Sequence, residues 1–104
     1  WHTLVLEEDG RLRGLLASVD HPSSNMLGPG VMRDRDAALA LIYRQLEHHA
    51  GRTPVFLAPS DEPELLAELY RWGARNCEIH MHNVLGEFKE MQGIHMPTFM
   101  PETA

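Results

Sequence analysis

Asp9-Gly10 stands between two apolar runs, and this pair decides how the chain begins to fold. Aspartate followed by glycine suits the central positions of a tight hairpin turn, both of which need positive φ. Thr3-Leu4-Val5-Leu6-Glu7-Glu8 then reads as one strand and Arg11 to Val19 as its antiparallel partner. In the second strand Leu15, Ala17 and Val19 fall on one face, and Leu12, Gly14, Leu16 and Ser18 on the other. Apolar residues on both faces predict a central strand covered on both sides.

Asp20 to Asn25 has the composition of a loop. Met26 to Met32 reads as a third strand, with Gly28-Pro29-Gly30 in its middle. Proline donates no ladder hydrogen bond, so a bend or a parting from the neighbouring strand is expected near Pro29. Asp36 to His49 is the clearest helix, with Leu39, Ile42, Tyr43 and Leu46 at i, i+3, i+4, i+7. Asp34 or Asp36 caps its start and Gly51 stops it. Thr53 to Ala58 reads as a short buried strand. Asp61-Glu62-Pro63-Glu64 opens a second helix, with Asp61 as the cap and Leu65, Leu66, Leu69 and Tyr70 on its core side, and Gly73 ends it. Asn76 to Leu85 and Ile94 to Met100 complete the pattern as strands, the last interrupted by Pro97. The order ββ, β, α, β, α, β, β makes one α/β (α+β) layered domain with a mixed sheet.

Composition narrows the function. The 104 residues carry 9 basic and 15 acidic side chains, a net charge of −6, with no basic run. Such a domain lacks the electrostatic footprint of a nucleic-acid or anionic-membrane binder, so neither is an expected partner. The lone cysteine, Cys77, allows no internal disulfide and makes a cytoplasmic address the default; as a buried apolar residue it needs no further explanation. No apolar run approaches the ~20 residues of a membrane span, and the first residues do not read as a signal peptide.

Val31-Met32-Arg33-Asp34-Arg35-Asp36-Ala37-Ala38, followed by Leu39 and Ile42, resembles the acyl-CoA loop of the GNAT N-acetyltransferase superfamily. That loop has the pattern Gln/Arg-x-x-Gly-x-Gly/Ala and leads from a strand into a helix. Arg33 matches its first position and Ala38 its last, while Asp36 stands where the family has its central glycine. Leu69-Tyr70-Arg71-Trp72-Gly73-Ala74-Arg75 resembles the ending of the family's fourth helix. The likeness spans almost the whole chain, as the C-terminal three-quarters of such a domain. It implies that the family's first strand and first two helices lie outside this sequence. It further implies a mostly antiparallel sheet with helices packed on its faces, and transfer of an acetyl group from acetyl-CoA to a small amine or peptide acceptor.

The resemblance also implies site residues. Val31, Met32, Arg33, Arg35, Asp36, Ala37 and Ala38 would receive the CoA pyrophosphate, for which a helix N-terminus is a natural site. Asp36 equally reads as plain helix capping. Tyr70 falls near the family's general acid, and equally completes the Leu66, Leu69 stripe as a core tyrosine. His21 is the nearest substitute for the family's glutamate base, with an ordinary pKa suited to neutral pH. The rival reading is a GNAT-fold module that binds or assembles without catalysis.

Four further features remain. Glu78, His80 and His82 alternate on one strand face, which suits either a polar surface or one side of a divalent-metal site; the lack of a second ligand-bearing segment predicts no metal. His48 and His49 at a helix end complement its dipole when protonated. Trp72, Phe88, Met91, Met96, Phe99 and Met100 give the last third an apolar surface. Finally, Thr3-Leu4-Val5-Leu6 beside Trp1 reads as an unprotected sheet edge, which predicts a homodimer.

Overall fold

A computed structural model describes residues 1–90 and 92–98. It is an α+β fold of four strands and two helices. Strands β1 (His2–Glu8), β2 (Arg11–His21) and β3 (Ser24–Met32) precede helices α1 (Arg35–His48) and α2 (Pro63–Arg71), and β4 (Ile94–Met96) closes the order. The strands form one antiparallel sheet in the order β1-β2-β3-β4.

The hairpin forms where the sequence places it. Asp9 and Gly10 take φ of 54° and 76°, the positive pair of a two-residue turn. The second connection is tighter than its composition suggests, because β2 runs on to His21 and β3 starts at Ser24, leaving Pro22 and Ser23 as the turn. In β3 the register shifts at the Gly-Pro-Gly stretch: Leu16 faces Gly30 and Ser18 faces Leu27, so Gly28 and Pro29 together oppose Ala17. This is a bulge in the third strand at the proline.

Both helices share one face of the sheet. Leu16, Leu27 and Met32 pack with Ala37, Ala38, Leu41 and Ile42 of α1, Leu65 and Leu69 of α2, and Ile94 and Met96 of β4. The expected covering of both faces holds only in part. β2 is central, with Gly14, Leu16 and Ser18 buried; on its other side Ala17 is buried but Leu15 and Val19 are only half-buried, and Leu12 is exposed.

Other expectations also change. Thr53 to Ala58 forms no strand and makes a single parallel bridge, Met26 to Val55. Asn76 to Leu85 forms no strand either, and all of its residues, Cys77 included, are exposed. Alternating side chains make a strand only when a neighbour accepts the ladder bonds, and nothing in the described chain does so here. The last strand is short, Ile94–Met96; Phe99 and Met100, like Met91, lie outside the described residues. Gly93 starts it with φ 77°, and a Cβ there would stand 2.6 Å from the Met32 carbonyl oxygen. Among the described residues no helix is long and apolar enough to cross a membrane.

The helix boundaries follow local chemistry. Asp34 is the N-cap of α1, and its side chain accepts the Ala37 N–H at 2.9 Å. Asp36 lies inside the first turn. α2 starts one residue later than its acidic opening suggests: Glu62 is the N-cap, without a side-chain cap bond, and Pro63 takes the first helical position. The Ala74 N–H closes back onto the Leu69 carbonyl past Gly73.

Candidate functional site

Sequence reasoning places a ligand where β3 runs into α1. The structure divides those residues by burial. Met32, Ala37 and Ala38 belong to the core, whereas Val31, Arg33, Arg35 and Asp36 are exposed. Arg33 donates from Nε to the Leu12 carbonyl at 2.9 Å, which lays its side chain against the β1–β2 hairpin. Arg35 pairs with Glu64 of α2 and approaches Asp36 at 3.8 Å. Asp34, between the two arginines, is held by Arg13, which also reaches Glu8 at 3.2 Å.

This is a compact charge cluster at a helix N-terminus. The Ala37 N–H bond holds the Asp34 carboxyl below its usual pKa, and the Arg13 guanidinium adds to that effect. An anion arriving here meets the end of the α1 dipole, where Asp34 already caps one N–H, and two exposed guanidinium groups, one bonded to the Leu12 carbonyl and the other paired with Glu64.

Above the loop, β3 has two successive partners on the edge away from β2. At its start the Leu27 N–H donates to the Val55 carbonyl at 3.0 Å and the Val55 N–H to the Asn25 carbonyl at 2.9 Å. After the Gly28-Pro29 bulge that parallel contact ends, and Gly30, Val31 and Met32 face Met96, His95 and Ile94 instead. The two segments thus come apart at the proline, and β4 lies along the edge beyond it. A shallow depression opens at the other end, lined by Ser23, Ser24, Asn25, Thr53 and Val55. The buried Oδ1 of Asn25 has no hydrogen-bond partner there.

The remaining candidates do not gather at the loop. His21 ends β2 and pairs with Ser24, at the opposite end of β3 from Met32. Strand rise puts it roughly 25 Å from the α1 N-terminus. It is exposed, and its Nδ1 accepts the Ser23 N–H at 3.1 Å. Tyr70 is on α2 but turned out of the core, 53% exposed, so it does not complete the leucine stripe. Glu78 and His80 approach to 3.7 Å. Among the described residues no three His, Cys, Asp or Glu side chains come together as a metal site.

Sequence reasoning missed a second polar cluster. Ser18, Gln45 and His49 are buried. Gln45 donates from Nε2 to the His2 and Leu16 carbonyls, at 3.0 and 2.7 Å. Its Oε1 accepts from Ser18 Oγ at 2.9 Å and lies 3.0 Å from His2 Nδ1. With the Ser18 proton so engaged, His49 Nε2–H donates to Ser18 Oγ at 2.9 Å. Its Nδ1 is then a bare, buried acceptor without a partner. Burial, followed by the neighbouring charges of His48 and His2, lowers the His49 pKa. His49 is therefore a neutral core residue rather than a cation serving the helix dipole, while His48 stacks on His2 at 3.6 Å. The signal was present: Leu41, Gln45 and His49 are spaced i, i+4, i+8.

Comparison with known protein families, with curated proteins and with solved structures finds no match to this chain.

Proposed function

We propose that this chain forms the donor-binding part of an acyl-CoA-dependent N-acyltransferase. One observation carries the reading. β3 is bridged in parallel to Val55, parts from that segment at the Gly28-Pro29 bulge, and leads straight into the capped N-terminus of α1. A parted edge suits an extended thioester arm, whose amides need backbone partners, and the helix end suits its pyrophosphate. Arg33 and Arg35 are the cations at hand for the phosphates.

In the reaction an acceptor amine attacks the thioester carbonyl carbon. The C–N bond forms, the C–S bond breaks, and the amine loses a proton to His21 or to water. Tyr70 returns a proton to the leaving thiolate. His21 and Tyr70 take these roles from the GNAT resemblance; acetyl-CoA is the expected donor and a small amine or peptide the acceptor.

Two features favour the second reading, a module of the same fold that binds or assembles without catalysis. Asp34 already occupies the Ala37 N–H, and β4 already lies along Gly30–Met32. Isothermal titration with acetyl-CoA separates the readings. Acyltransfer predicts saturable heat, strengthened several-fold by Asp36→Gly, which removes a negative charge beside the pyrophosphate. Absence of heat and of any thermal shift at millimolar ligand selects the non-catalytic module.

A further inference from the structure

From Ala74 to Glu90 the backbone forms neither strand nor helix, and every residue is exposed. The stretch is not polar enough to be explained as a solvated loop. Ile79 and Met81 are 81% and 80% exposed, and Leu85 is fully so. Over Cys77 to His82 apolar and polar residues alternate, with Cys77, Ile79 and Met81 on one side and Glu78, His80 and His82 on the other. A period of two has one stable use, as a strand half-covered on one face.

The same molecule offers a place for such a strand. β1 is the outer strand of the sheet, so its far side presents N–H and C=O groups that no described strand takes up. Thr3 and Val5 are exposed on the face away from the helices, and Val5 continues a cross-strand row with Leu15 and Val31. An antiparallel addition that sets Val5 against Ile79 also sets Thr3 against Met81. Ile79 then extends the apolar row of Val5, Leu15 and Val31, Met81 lies on the same face against Thr3, and Cys77 falls opposite Glu7. The same register brings Arg75 opposite Asp9, beside Glu7 and Glu8. A parallel addition carries Arg75 away from these carboxylates, and a slip of one residue moves Ile79 to the other face.

We propose that the 76–82 segment of one copy adds antiparallel to the β1 edge of a second copy, and that the exchange is reciprocal. Both ends of the segment are tied elsewhere in their own molecule: it leaves α2 at Gly73 and returns to β4, which holds the edge opposite β1. Each copy has one donor segment and one receiving edge, so two exchanges close a two-fold dimer and leave neither β1 edge open.

Light scattering on a sizing column at micromolar protein, paired with hydrogen exchange, tests this. The expected mass is twice 11.8 kDa. Amides of 76–82 and of His2–Glu8 should gain protection together as concentration rises. Ile79→Pro removes a ladder donor from an exposed position, so it should weaken dimerisation at least tenfold with the circular dichroism of the monomer fold unchanged. Ile79→Lys should do the same without altering the backbone. A wild-type mass of one chain overturns the proposal, whether or not the segment is protected. So does a dimer that persists unweakened in both variants.

Discussion

Asp34 shows how much one side chain carries at the start of α1. Its carboxylate caps the helix through the Ala37 N–H and receives Arg13, so it ties the β1–β2 hairpin to the helix. Asp34→Ala should cost about 1 kcal/mol in urea unfolding at pH 7, the usual worth of such a cap. The sign with pH follows from its lowered pKa. The stability it adds is complete above the ordinary aspartate value and is lost as pH falls through the folded value; the variant and wild type should therefore converge in strong acid. His49 behaves in the opposite region. Its folded pKa is below the ordinary 6.5, so the unfolded chain binds its proton first. Stability should be full above the ordinary histidine value of about 6.5 and decline as pH falls from there through the lower folded value, measured as a falling melting temperature. In His49→Gln that decline should be shallower, because no buried imidazole then resists charging.

At the scale of elements, legibility depended on whether a pattern was satisfied locally. The Asp9-Gly10 hairpin and the span of α1 were readable because turn chemistry and capping act within a few residues. The inward face of α1 was readable only in part. Of the stripe Leu39, Ile42, Tyr43 and Leu46, Ile42 is buried and Leu39 and Leu46 pack half-buried against the core, but Tyr43 is exposed, and the fully buried set is Ala37, Ala38, Leu41, Ile42 and Gln45. The sheet approaches one side of the helix, and a buried glutamine that bonds two carbonyls outweighs a tyrosine that can stay wet. Tyr43 instead meets Trp72 edge-on, with ring centres 5.7 Å apart. Chemical denaturation distinguishes the two stripes: Leu41→Ala should cost about 3 kcal/mol and Tyr43→Ala no more than about 1 kcal/mol. The segments 53–58 and 76–85 failed as strands for a related reason. Strand pattern announces a willing chain, but the partner that makes it a strand is non-local and invisible in the segment itself. Candidate site residues were legible only as chemistry. Arg33 and Arg35 do flank the α1 cap, whereas the separation of His21 from that cap follows from antiparallel register, which no motif encodes.

For the whole molecule, the decisive competition is for the edge of β3 beyond Pro29. β4 now fills it over three residues, anchored by buried Ile94 and Met96. If an acyl-CoA arm follows the same edge, donor and β4 exclude one another, and binding must be weakened by whatever β4 contributes to stability. Gly93 gives access to that term without emptying the core. It sits at φ 77° with the Met32 carbonyl oxygen 2.6 Å from where a Cβ would stand, so Gly93→Ala pushes β4 away from β3 while Ile94 and Met96 keep their side chains. The variant should lose about 2 kcal/mol in thermal or urea unfolding, as residues forced into the left-handed region do. Under the acyltransferase reading, acetyl-CoA should bind it more tightly than wild type at a temperature where both are folded. A variant that loses stability and gains no affinity would show that the donor does not run along Gly30–Met32, and the parted strand would then serve only to seat β4.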